Sequence, residues 1–132
     1  MIDFSNEVFN TVAKDLRSLY SGIQVIGEYV ETPAKFPTVT LDEVNNVPVH
    51  LDSGATNKYA RVLYRCQVFC NGEGKRQKAR TIYDTVDRIL MGKGLYAKSY
   101  TTTPAIYNSE IYCITATYEG VNVEMMRVKN GE

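Results

Sequence analysis

YARVLYRCQVFCNGEGKRQKARTIYDTVDRILM, residues 59–91, reads as a strand, a turn and a helix in direct succession. From position 59 to 70, Ala60, Val62, Tyr64, Cys66, Val68 and Cys70 fall on one side of a period of two, while Arg61, Arg65 and Gln67 dominate the other. Asn71, Gly72, Glu73 and Gly74 break the alternation and turn the chain. The period then changes. Ala79, Ile82, Tyr83, Val86, Ile89 and Leu90 recur at three- and four-residue spacing, which predicts a helix over about 75–91, ended by Gly92 and Gly94. A strand this long followed by a helix with one apolar stripe calls for a sheet that carries helices on one face.

Upstream, FPTVTLDEVNN, residues 36–46, puts Val39 and Leu41 on one face and Thr38, Thr40 and Asp42 on the other. That is the alternation of a sheet whose one face packs on helices. Pro37 belongs at the strand start or on an edge. Before it, Ser5 as a cap, Glu7 in the first turn and Val8, Phe9, Val12, Leu16, Leu19 and Tyr20 predict a helix over 6–20, which Gly22 stops. Residues 23–30 read as a strand and 32–34 as a connector. Between 45 and 58 the Asn, Pro, His, Asp, Ser and Gly content, with a short apolar island at 47–51, reads as a long loop or a protruding hairpin.

Downstream, residues 95–103 and 110–119 read as a strand pair joined by a connection containing Pro104. Tyr112, Ile114, Ala116 and Tyr118 alternate against Cys113, Thr115 and Thr117. The tail from Val121 reads as an added edge strand or a mobile end. Strands in hairpin-like succession with two helices define the expected class: α+β, a largely antiparallel β-sheet with two amphipathic helices packed on it.

A chain of 132 residues, 44% hydrophobic, fits one domain over 1–132, burying roughly two thirds of its unfolded surface. No apolar run approaches the roughly 18–20 residues that span a bilayer, and the first ten residues lack signal-peptide character. No membrane partner is expected, and synthesis in a cytoplasm is. Cys66 and Cys70, four residues apart on a strand, lie about 13 Å apart and cannot bridge. With Cys113 as the third thiol and His50 the lone imidazole, neither a disulfide framework nor a zinc site is expected; the three read as buried reduced thiols.

The net charge is zero, which argues against a dedicated nucleic-acid binder. Its distribution is uneven. Residues 1–58 carry four basic and eight acidic side chains, and residues 59–132 carry eleven and seven. Either the halves interleave in one fold and cancel locally, or they mediate head-to-tail association between copies.

The turn before the second helix, NGEGKRQKAR, offers amides that can hold phosphate, but it lacks the spacing of a phosphate loop. Arg80, Asp84 and Arg88 follow at i,i+4 and form an ordinary solvated face. Lys75, Arg76 and Lys78 have no such intrahelical partners and oppose the helix dipole, so they are candidates for facing an external anion or a partner's carboxylates. His50 has only Asp52 and Ser53 as sequence neighbours, a poor basis for a triad. Asp42 and Glu43 point to opposite faces of a strand, which rules against shared acid–base work. No enzyme activity and no cofactor are expected. Tyr64, Tyr112 and Tyr118 share their faces with Val62, Cys66, Ile114 and Ala116, which assigns them to the core or to a protein interface rather than to a base-stacking platform.

The early amphipathic helix, FPTVTLDEVNN, YARVLYRCQVFCN, KARTIYDTVDRIL and EIYCITATYEG, taken in order, resemble the tail-terminator, or tail-completion, proteins of long-tailed bacteriophages. The resemblance implies a non-enzymatic virion protein, made in the host cytoplasm, that assembles as a ring, commonly a hexamer, on the last ring of the major tail-tube protein. There it ends tube growth and docks to a head–tail connector or neck protein of the DNA-filled head. Asp42, Glu43, Asn45, Asn46, His50 and Asp52 are then candidate assembly contacts. Lys75, Arg76 and Lys78 are candidates to face the lumen, near passing DNA, or an acidic partner surface. Two other readings stand beside it: a neck or head-completion adaptor of the virion, and a small nucleic-acid-binding α+β module.

Overall fold

The computed structural model describes residues 5–50, 58–105 and 108–122. The first helix, α1 (Ser5–Leu19), presents Val8, Val12 and Leu16, all fully buried, at four-residue spacing. Phe9 packs beside them. Leu19, expected on that stripe, is 62% exposed. Tyr20 follows the helix and hydrogen-bonds to Thr85 Oγ1 at 3.0 Å.

β1 (Gln24–Ile26) is shorter than the strand expected over 23–30 and pairs parallel with β2 (Thr38–His50) through Gln24 opposite Thr38 to Ile26 opposite Thr40. The intervening segment crosses to the other side of the sheet. β2 begins directly after Pro37, whose peptide bond is cis, and runs antiparallel to β3 (Lys58–Asn71) along its whole length. Residues 45–50 and 58 of the stretch read as a long loop or a protruding hairpin are therefore hairpin, and residues 51–57 lie outside the described residues. Val47 faces Arg61 and His50 faces Lys58 across the ladder, because Val47 and Val49 supply β-forming residues on each side of Pro48.

α2 (Lys75–Gly92) buries Ala79, Ile82, Tyr83, Val86 and Leu90, the predicted stripe, with Ile89 half-buried. Gly94, at φ 88°, takes a backbone conformation that L side chains avoid, and the amides of Lys93, Gly94 and Leu95 bond back to the last turn. β4 (Tyr96–Ala105) and β5 (Asn108–Asn122) pair antiparallel, and β5 pairs with β3. Pro104, expected in the connection, lies in β4 opposite Tyr112. Of the tail, Val121 and Asn122 continue β5, and the remainder is outside the described residues.

The sheet order is β1-β2-β3-β5-β4, antiparallel except for β1 with β2. This is the expected α+β class, with both helices on one face. They run antiparallel to one another: Lys93 pairs with Glu7 at 3.4 Å near one end, and Tyr20 reaches Thr85 toward the other. Val39, Leu41, Val62, Tyr64, Cys66, Val68, Ile114, Ala116 and Tyr118 meet the helices and form the core. Within it, the Tyr83 and Tyr118 hydroxyls lie 2.6 Å apart, and Tyr118 donates to Asp87 Oδ1 at 2.5 Å.

Candidate assembly surface

The face opposite the helices is polar in sequence but not uniformly solvated. Thr38 and Thr40 are fully buried and Gln67 nearly so, although their alternation suggested a solvent side. The segment after β1 covers them. Val30 N–H and Thr40 Oγ1 both donate to Gln67 Oε1, at 3.3 and 2.8 Å, and Thr38 Oγ1 donates to Lys35 O at 2.6 Å. Beside this seam, Arg65 binds Asp42 through Nη2 to Oδ2 at 2.7 Å and Nε to Oδ1 at 3.3 Å. The Tyr29 ring stacks on its guanidinium, 4.3 Å from ring centre to Cζ. Asp42 thus has an internal partner. Sequence reasoning missed Gln67 and Tyr29; the signal present was Thr38, Thr40 and Gln67 on one face, uncharged and mostly β-branched.

The remaining acidic-end residues sit where β2 leaves the body of the sheet. Glu43 faces Tyr64, Asn45 faces Leu63, and the register skips Val44 between them, a bulge. Asn45 is exposed, whereas Asn46 is half-buried, opposite Val62. His50 closes the strand; Asp52 is outside the described residues.

Lys75, Arg76 and Lys78 occupy the opposite end. α2 starts after β3 has run from Val62 to Asn71, so roughly 30 Å of strand separates this cluster from Asn46, at about 3.4 Å per residue. The fold does not bring the two candidate groups together. Arg76 and Lys78 are exposed, with the Arg76 guanidinium 5.9 Å over the Tyr112 ring, and the first turn of α2 contains no acidic residue. The charge imbalance between the chain's halves is partly cancelled inside the fold, since two of the four ion pairs among the described residues, Asp42–Arg65 and Glu7–Lys93, join one half to the other.

Two strand edges remain. β1 covers only Thr38, Val39 and Thr40 of β2, so from residue 41 to residue 50 β2 is itself the outermost strand of the described sheet. On the far side of the sheet, β4 is likewise an edge. Four of the seven exposed large apolar side chains among the described residues, Val44, Val47, Tyr96 and Tyr100, lie on these two strands.

That fold recurs in a virion. A chain of the virion of a native gene transfer agent particle matches with a TM-score of 0.68 and 15% identity, over 90% of this chain and 93% of that chain. At this identity the likeness is one of fold. No family model matches the chain, and no curated protein is similar to it in sequence.

Among the described residues, no group of three or more His, Cys, Asp and Glu side chains could hold a metal ion, and no helix is long and apolar enough to cross a membrane. Burial pushes the Cys66 thiol up to about 12 and Cys70 up to about 11, the latter against the pull of Lys78. Cys113, half-buried, is also raised by burial, against its hydrogen bond with Thr115. All three are free cysteines, and such groups stay protonated at neutral pH, when a thiolate is what a nucleophile or a metal ligand requires. Burial likewise raises Tyr83, to about 12, and Tyr118.

Proposed function

We propose that this chain is a structural virion protein of the tail-terminator kind. Copies form a ring, with six-fold symmetry implied by the resemblance, that caps the head-proximal end of a tail tube, stops its growth and presents a surface for the head. The observation that carries this reading is the near-complete fold match to a chain of a virion particle, 90% of one chain on 93% of the other. The geometry suits it. A ring subunit needs two unlike lateral surfaces to meet its neighbours and two unlike ends to meet what lies above and below. The open edges of β2 and β4 provide the first, and the β2–β3 hairpin and the basic start of α2 the second. In this reading the hairpin, with Glu43, Asn45 and Asn46 at its root, meets an adjoining ring. Lys75, Arg76 and Lys78 face the lumen or an acidic partner. The role requires no catalysis.

Electron microscopy of the purified protein mixed with tail tubes tests it. A single cap at the head-proximal end of each tube is the expected image. Binding to head portals with bare tube ends would replace this reading with that of a neck adaptor. Binding to free nucleic acid that weakens steeply with salt, without either structure, would replace it with a nucleic-acid module.

A further inference from the structure

We infer that the two open edges are made for one another: residues 41–50 of one copy pair antiparallel with β4 of the next, and the sheet continues from subunit to subunit. The inference rests on the ring reading above and specifies its lateral contact. Direction is the first reason. Each step from β2 to β3, β5 and β4 is antiparallel, so β4 runs opposite to β2. Copies related by rotation about an axis along the strands share one up direction, and a neighbour's β4 meets β2 antiparallel.

Length is the second reason. β2 has 13 residues, of which β1 covers three, leaving ten; β4 has ten. Offset is the third. Through Thr115 and Gln67, Thr101 lies level with Thr40, so an unshifted neighbour would bring β4 against β1. The repeat β2-β3-β5-β4 is about 19 Å wide at about 4.8 Å per strand. A closed sheet tilts its strands by about 35–45°, which displaces the neighbour along them by roughly 13–19 Å, roughly four to six residues. With a right-handed β3–α2–β4 crossover, the helices outside and the slope that right-handed twist imposes, the displacement carries β4 toward the His50 end of β2, clear of β1 and along residues 41–50.

The pleat narrows the register. Tyr100 pairs with Ala116 and so shares the helix-bearing face with Tyr64 and Val62, the partners of Glu43 and Asn46. Residues directly opposite one another share a face, which places Tyr100 opposite position 46 or 48. Both edges are also blunted. Val44 and Lys98 are bulged residues flanking one row, Glu43–Tyr64–Tyr118–Ala97, and Pro48 and Pro104 each lack an N–H. Such devices oppose indiscriminate edge addition in a free subunit. What remains is the pairing that ring symmetry holds in register.

The test uses the full chain with Cys113→Ser, carrying Tyr100→Cys with either Asn46→Cys or Pro48→Cys, treated with a short bismaleimide after assembly on tail tubes. Leu19→Cys with Met91→Cys is the comparison. At least one edge pair should give a ladder of covalent multimers at least ten-fold above the single-cysteine chains, and the comparison pair should not. The unmodified chain supplies a second readout: amide exchange in residues 41–50 and in β4 should slow at least ten-fold on assembly. Capped tubes with neither cross-linking nor protection would overturn the edge pairing and leave the cap reading intact. Cross-linked, protected rings that ignore tubes would do the reverse. A chain that never self-associates, with tubes or without, overturns the pairing.

Discussion

Replacing Gln67 by leucine isolates the seam that joins the segment after β1 to the sheet. The substitution nearly conserves volume and apolar packing, so its main effect is to remove the acceptor of two hydrogen bonds, from Thr40 Oγ1 at 2.8 Å and Val30 N at 3.3 Å. The two donors fare differently. Thr40 is fully buried, so its hydroxyl loses this acceptor out of reach of solvent, a cost of about 1–3 kcal/mol; Val30, half-buried, can turn to solvent for about 0.5 kcal/mol. Gln67→Leu should therefore destabilise by about 1.5–3.5 kcal/mol in urea denaturation. Thr40→Val in the same chain removes the stranded hydroxyl and should return about 1–2 kcal/mol, a coupling that a double-mutant cycle measures directly. Amide exchange of residues 27–37 should accelerate in the single variant. Two results would refute the claim that this buried amide organises the second face: additive effects with no coupling, or a Gln67→Leu chain within about 0.5 kcal/mol of the parent, the range of an inconsequential surface change.

Gly120→Ala should cost about 1–3 kcal/mol of stability, because a Cβ there would meet Leu95 Cδ2 at 2.7 Å and Gly94 O at 3.0 Å; a melting temperature equal to the parent's would show that the turn yields freely. Alkaline pH should destabilise the reduced protein: the folded state holds the Cys66 and Cys70 protons well above the ordinary 9.0, so the unfolded chain ionises first and stability, full at lower pH, falls as pH rises through about 9–11. Each thiol contributes a slope of about 1.4 kcal/mol per pH unit, with Tyr83 adding above 10.0, and denaturation curves that coincide at pH 8 and pH 10 would count against it. Replacing residues 51–57, which connect β2 to β3, by a two-residue Asn-Gly turn should leave the fold intact and block head–tail joining in an assembly assay; unchanged particle yield would remove the hairpin from the interface. Changing Lys75, Arg76 and Lys78 together to glutamine should weaken assembly or alter its salt dependence, and identical salt curves would assign these side chains to solubility alone.

Much of the core was legible because it obeys periods. Val62, Tyr64, Cys66 and Val68 alternate as a pleat requires, and Ala79, Ile82, Val86 and Leu90 recur as a helix requires, so their inward faces follow from covalent geometry. The candidate contacts were legible only as a location. The root of the hairpin follows from composition, yet composition leaves a loop and a paired hairpin equally open, because Pro and Asn content lowers strand propensity; the ladder through His50 and Lys58 decides for the hairpin. Asp42 illustrates the same limit: on the linear chain it is one of a run of polar residues, and in the fold Arg65 holds it.

Local periodicity in the amino-acid chain was thus enough to establish the α+β class, the two helix stripes and the inward face of the long strand. Three-dimensional packing settled what periodicity does not encode: that β1 stops at Ile26 and joins β2 in parallel, that the following segment buries Gln67, and that, among the described residues, 41–50 and β4 form the two edges of the sheet. The physical reason is that strand order and coverage arise from pairings between residues far apart in the chain, where burial and hydrogen bonding, rather than propensity, choose the partner.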